Sequence, residues 1–266
     1  MSTMTLLRTP ELRVTTPRVI RSEWIKFWSL RSTTITLAAA AIVFIGIGLL
    51  ASSIAGDGNF GPDEGTLSTT NISLAGSTFA QLILGSLGVL LMAGEYSTGM
   101  IRSTLAAVPA RLPVLWAKSA VFAAAVFPLM LAASFVAFLG GQAIIGEAGA
   151  SLSDPGVFRA IIGSAVYLTG AGLLGLLLGA LLRSTPAAIS SLFGALFLLE
   201  GVVQLLIPEA WRDTIGPYLP STAGGAFSAV TQQPGTLSPW AGLAVFAAYL
   251  LAVGAAAAWR LKRQDA

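Results

Sequence analysis

The chain reads as an all-α integral membrane protein: six transmembrane helices, both termini cytoplasmic, preceded by an N-terminal amphipathic interfacial helix. Three observations predict this. Only 10% of the 266 residues are charged and mean hydropathy is +0.80, whereas soluble domains carry about a quarter charged residues. Six stretches each supply the ~20 mostly apolar residues that a bilayer core requires. Threading those stretches back and forth places nearly all Lys and Arg on one side.

Residues 1–17 show no periodicity and are expected to be a flexible N-terminus. Residues 18–32 follow as an interfacial helix containing RVIRSEWIKFWSLR. At helical spacing Val19, Ile20, Trp24, Phe27, Trp28 and Leu30 share one arc, while Arg18, Arg21, Ser22, Lys26 and Ser29 occupy the other. Basic residues opposite tryptophans suit a helix lying in the membrane surface. Glu23 falls inside the apolar arc and Ile25 outside it, so a plain basic flank with belt aromatics is the competing reading.

The transmembrane domain, 33–259, comprises spans at about 33–54, 73–93, 119–145, 160–182, 187–207 and 239–259, and a basic tail, 260–266, ends the chain. None of the spans shows the two-residue alternation of a membrane β-strand. The first is too long, and its preceding basic segment too extended, for a cleaved leader, so it is expected to be retained. With the N-terminus inside, the cytoplasmic segments hold 13 of the 15 basic residues: Arg8, Arg13, Arg18, Arg21, Lys26, Arg31, Arg102, Arg111, Lys118, Arg183, Arg260, Lys262 and Arg263. Only Arg159 and Arg212 fall outside, where seven acids gather.

The external segment 55–71 is Gly- and acid-rich. The last external segment, 208–238, contains AGGAFSAV (223–230), apolar enough to dip back into the bilayer if protein shields its backbone. Pro128 sits inside the third span, where a membrane helix tolerates a kink. In the fourth, GAGLLG mimics a dinucleotide fingerprint, but that fingerprint needs a strand before it and a helix start after it. Ala171, Gly175 and Gly179, four apart, instead make a small-residue face for close helix packing.

Several chemistries are absent from the sequence. With no Cys and no His, it lacks disulfides, thiolate metal sites and the commonest general base. It contains no phosphate-binding G-x-x-x-x-G-K-[ST] loop. No catalytic residue, metal site or bound cofactor is expected, and no enzymatic activity. Glu200 is the single charge well inside an expected span. Such a residue costs roughly 2.5–3.5 kcal/mol on insertion scales and usually has a partner or a task. It lines a cavity near the outer gate, or it is protonated or paired locally, with Gln204 one turn on.

Between the second and third spans, 94–118 carries Glu95, Arg102, Arg111, Lys118 and two prolines, Pro109 and Pro113. Tyr96 to Val108 is expected to form about three helical turns ended by Pro109. Met100, Ile101, Leu105 and Val108 offer an apolar patch, Thr98 and Gly99 permit a bend out of the span, and Glu95 and Arg102 share a face. The plainer alternative is a solvated loop whose basic residues only set topology.

Two segments carry a family resemblance. SEWIK (22–26), with its Trp/Leu-Arg-Ser approach to the first span, and EYSTGMIRSTL (95–105), followed by Pro109, Arg111 and Lys118, resemble permeases of the ABC-transporter type 2 family of actinobacteria. The resemblance covers about 40 residues, and the six-span layout extends it more weakly. It implies a membrane permease subunit of an ATP-driven exporter in a bacterial plasma membrane, worked by a separate ATP-binding subunit in two copies that uses ATP and Mg. It also implies a second permease copy, simplest as a homodimer. By the same resemblance Glu95, Tyr96, Gly99, Met100, Ile101, Arg102 and Leu105 form the ATPase-coupling helix, and Arg21, Glu23, Trp24, Lys26 and Trp28 belong to an interfacial elbow. Lipid is the other expected partner, and nucleic acid is not. The rivals are a stand-alone channel or secondary carrier using Glu200, and a structural membrane subunit.

Overall fold

The structure, a computed structural model, describes residues 15–56, 68–108, 110–231 and 235–263. The segments 1–14, 57–67, 232–234 and 264–266, and Pro109 with the helix stop expected of it, lie outside the described residues. Among those described, all regular structure is helical. The first half comprises α1 (Thr16–Ser29), α2 (Arg31–Gly56), α3 (Thr69–Ser73), α4 (Ser77–Ser97), α5 (Met100–Ala107) and α6 (Leu112–Ile145). The second comprises α7 (Val157–Leu182), α8 (Thr185–Phe193), α9 (Leu199–Leu206), α10 (Glu209–Ile215), α11 (Pro220–Ala226) and α12 (Pro239–Arg263). A wide π turn, Gly194–Leu198, joins α8 to α9.

Among the described residues, six stretches are long and apolar enough to cross a membrane: α2, α4, α6, α7, α8 through α9, and α12. The chain is a multi-pass membrane protein. Several boundaries differ from expectation: α4 and α12 each run four residues further, to Ser97 and Arg263, and α7 starts three earlier, at Val157. The second span starts at Ser77, because 69–73 forms its own short helix before a turn. The third starts at Leu112 with Pro113 in its first turn, a position where the missing proline N–H is no loss. Lys118, expected as a flank, is therefore the seventh residue of α6 and buried.

The bundle is built on α7, which is buried over most of its length, whereas less than a quarter of α2, α8–α9 and α12 is buried. Its closest neighbour is α4. A Cβ at Gly88 would fall on the Gly172 carbonyl, and one at Gly175 on the Gly85 carbonyl. The face expected from Ala171, Gly175 and Gly179 is thus the seam along which two backbones touch.

Opposite the α1 end, α3 is pinned between α2 and α6 by hydroxyl and amide groups. Gln142 Nε2 donates to Ser73 Oγ at 2.8 Å and to Thr69 O at 3.1 Å, and Ser52 and Ser73 hydroxyls lie 3.0 Å apart. Beside it, α11 tucks Ala223 and Gly224 against α7 and α12, with Gly224 on the Tyr167 ring. Arg159 then clamps the segment after α11, donating to Phe227 O at 3.2 Å and Ala229 O at 2.9 Å. Half of the AGGAFSAV stretch, 223–226, is thus helical within α11, and these contacts hold the non-helical half, 227–230.

Candidate functional site

Where α1, α4, α5 and α6 meet, four charges form one cluster. In α1 the residues one turn apart, Val19, Glu23 and Phe27, make the buried stripe, and Phe27 meets Phe122 of α6 edge-on at 6.4 Å. Glu23, the apparent misfit of the apolar arc, sits in this stripe opposite Lys118. Lys118 Nζ donates to Glu23 Oε2 at 2.6 Å and to Glu95 Oε1 at 2.8 Å. Lys26 Nζ donates to Glu23 Oε1 at 2.8 Å, Glu95 Oε1 at 3.4 Å and Thr104 Oγ1 at 3.3 Å. Two carboxylates and two ammoniums balance, so the group can leave water together where one member could not.

Exposures of 3% for Glu23, 4% for Glu95 and 6% for Lys118 mark this as an interior ion cluster. Burial pushes the Glu23 carboxyl up, but Lys118 and then Lys26 outweigh it and hold Glu23 below its ordinary value. Burial also pushes Lys26 down, and Glu23 with Glu95 reverses the sign, so its ammonium is held above the usual range. Next to the buried stripe Ile20, Trp24 and Trp28 form a second, exposed stripe, with the two tryptophan rings 5.9 Å apart. Arg21 is exposed beside them.

The expected helix from Tyr96 is shorter. Tyr96 and Ser97 complete α4, and Gly99 at φ 72° stops it, a left-handed conformation that costs a residue with a Cβ roughly 1–2 kcal/mol. Eight residues remain for α5. Its apolar patch is also redistributed: Ile101, Leu105 and Val108 are buried in the protein's own core, leaving Met100, Arg102, Ser103, Ala106 and Ala107 outward. Glu95 does not share an exposed face with Arg102, because its carboxylate turns inward to Lys118 and Lys26. Tyr96 is half-buried under the Arg183 guanidinium, 5.2 Å from the ring centre.

At the opposite end Glu200 and Gln204 line a cavity of about 440 Å³ together with Gln81, Tyr167, Ser221 and Thr222. Glu200 is half-buried and accepts a hydrogen bond from Ser221 Oγ at 3.3 Å. The partner is thus on α11 rather than the anticipated Gln204. Tyr167 donates to Gln81 across the α4–α7 seam. The π turn ends two residues before Glu200 in the chain, and such turns often accompany functional positions.

Neither a family model nor a curated protein matches the chain. Function therefore rests on the geometry and on the residue pattern. Three participants escaped sequence reasoning: Lys118, Thr104 and Arg183. Lys118 carried one readable signal, since seventh place in a helix starting at a Pro-containing turn lies beyond the flank. Arg183 carried none, because its partner Tyr96 is 87 residues away in the chain.

Proposed function

We propose that this chain is the permease subunit of an ATP-driven exporter in a bacterial plasma membrane, with both termini cytoplasmic and a separate ATP-binding subunit docking on α5. The observation that supports the reading most is how α5 is held. It is a short helix turned off the end of α4, buried along Ile101, Leu105 and Val108, with Met100 and Arg102 outward. Lys26 ties it to α1 through Thr104 and the charge cluster. A push on such a knob moves α4, α6 and α1 as one piece, whereas a solvated loop would absorb it. The basic excess at this end supports a cytoplasmic placement. Two permease copies and two ATPases make the working unit, and ATP and Mg belong to the partner.

Transport would proceed by alternating access, and the Glu200 cavity at the far end suits the outer part of the pathway. The same cavity favours the second reading, a self-contained carrier with Glu200 as its ion site. Pull-down of the tagged chain tests the first: an ATP-binding subunit should co-purify, and Arg102→Glu should weaken that complex without loss of membrane insertion. Transport by the purified chain alone in liposomes would overturn it in favour of the second.

A further inference from the structure

A second cavity, of about 470 Å³, lies against the charge cluster between α1, the start of α2, α4 and α6. That volume is in the range of small-ligand sites. Its walls divide sharply. Phe27, Leu87, Leu91 and Val121 supply an apolar bed. Leu30 and Leu90, which also line it, are about half exposed, so the cavity opens onto the surface of the bundle.

The polar side is built of hydroxyls. Thr33 lines the cavity, and the residue as a whole is 1% exposed. Thr36, one turn further, lines the same wall. Glu95 borders them, and its buried Oε2 accepts no hydrogen bond.

The charges decide the class of ligand. Glu23, Glu95, Lys26 and Lys118 already sum to zero at the cavity wall. An ionic head group would therefore add an uncompensated charge at a poorly hydrated site. A neutral hydroxyl head adds none, and it both donates and accepts, matching the Thr33 and Thr36 hydroxyls along the wall. We propose that this cavity binds a neutral amphiphile with a hydroxylated head, glycerol- or sugar-like, its head at Thr33 and Thr36 and its chain on Leu87 and Leu91. The proposal does not depend on an ATPase partner.

The test uses the full-length protein in phosphatidylcholine nanodiscs, with a monoacylglycerol carrying a photoreactive diazirine in its chain. Saturable labelling should map to peptides containing 27–36 and 87–91. Unlabelled monoolein should compete, while its dimethyl ether, oleate and oleylamine should compete at least about fivefold less well, the scale of one lost hydrogen bond. Thr33→Val, which keeps the shape and removes the hydroxyl, should weaken labelling by a similar factor. Leu91→Trp should abolish it in protein whose unfolding midpoint is unchanged. Labelling spread evenly over lipid-facing helices, equal competition by the ether, or an unaffected Thr33→Val would each overturn the proposal, with water then the occupant. Extraction of the purified protein separates the two sources of such a molecule: a resident lipid is recovered at about one per chain. A cargo is instead moved between liposome leaflets by the reconstituted complex.

Discussion

Lys118→Met removes a charge while keeping most of the side chain's apolar stem, and the result should be a markedly weaker protein. Two carboxylates, at 2.6 and 2.8 Å, lose their shared ammonium. At an effective dielectric of 20 each contact carries roughly 6 kcal/mol of gross attraction, much of it cancelled by desolvation. Breaking one partner of a buried pair costs about 3–5 kcal/mol. Lys26 still holds Glu23 at 2.8 Å but reaches Glu95 only at 3.4 Å, from a position about one-third exposed. Glu95 is therefore the group left short, and a loss of about 3 kcal/mol, at the lower end of that range, is expected. Adding Glu95→Gln removes the stranded charge, so the double variant should recover more than half, giving a coupling energy of about 2 kcal/mol. Unfolding in mixed micelles titrated with SDS, followed by tryptophan fluorescence, measures all four corners of the cycle. A Lys118→Met variant within about 1 kcal/mol of the parent, or a strictly additive cycle, would refute an interior ion cluster.

Three further outcomes follow from the same structure. The docking of α1 should depend on pH at both extremes. Glu23 is held below its unfolded value of 4.5, so its contribution is present above that pH and is lost as pH falls through the lower folded value. Lys26 is held above 10.5, so its contribution is complete below that pH and is lost as pH rises through the higher folded value. Quencher access to Trp24 and Trp28 should rise beyond both limits and stay flat between them; a change centred near pH 7 would count against it. Gly175→Leu should destabilise by about 3 kcal/mol or prevent folding, because it drives a side chain into the Gly85 backbone. Gly46→Ala, with nothing within 4 Å, should be close to neutral in the same assay. Glu200→Gln should slow transport while shifting stability by less than about 0.5 kcal/mol, as a half-buried residue with one weak hydrogen bond allows; unchanged transport would leave Glu200 as packing.

The six spans were legible because apolar length is a property of the local chain; their ends were less so, since α6 starts at Leu112, well before the apolar run. The small-residue seam of α7 was legible for the same reason, as a four-residue repeat. What Glu23 does was not. Its neighbours in sequence describe a surface helix, and an acid among them reads as a flaw until Lys118, 95 residues away, is brought against it. The same holds for α5: apolar residues next to a charged loop look available to a partner, and only packing shows that three of the four face inward. Glu200 was found from composition alone, but its partner Ser221 lies on a helix whose position depends on Arg159 and Tyr167.

The position of Lys118 also sets an order of events during synthesis. Glu23 and Lys26 emerge from the ribosome long before the residue that completes their cluster. Until the third span has been made and inserted, Glu23 has only Lys26 of its own helix as a partner, and α1 lacks the α6 surface on which it packs. Its attachment is thus a late step, one that reports that the first three spans have reached the membrane in register. A chain halted before residue 118 would leave α1 open to proteases and chaperones. A chain extended past it closes that window by neutralising the charges that kept α1 in water.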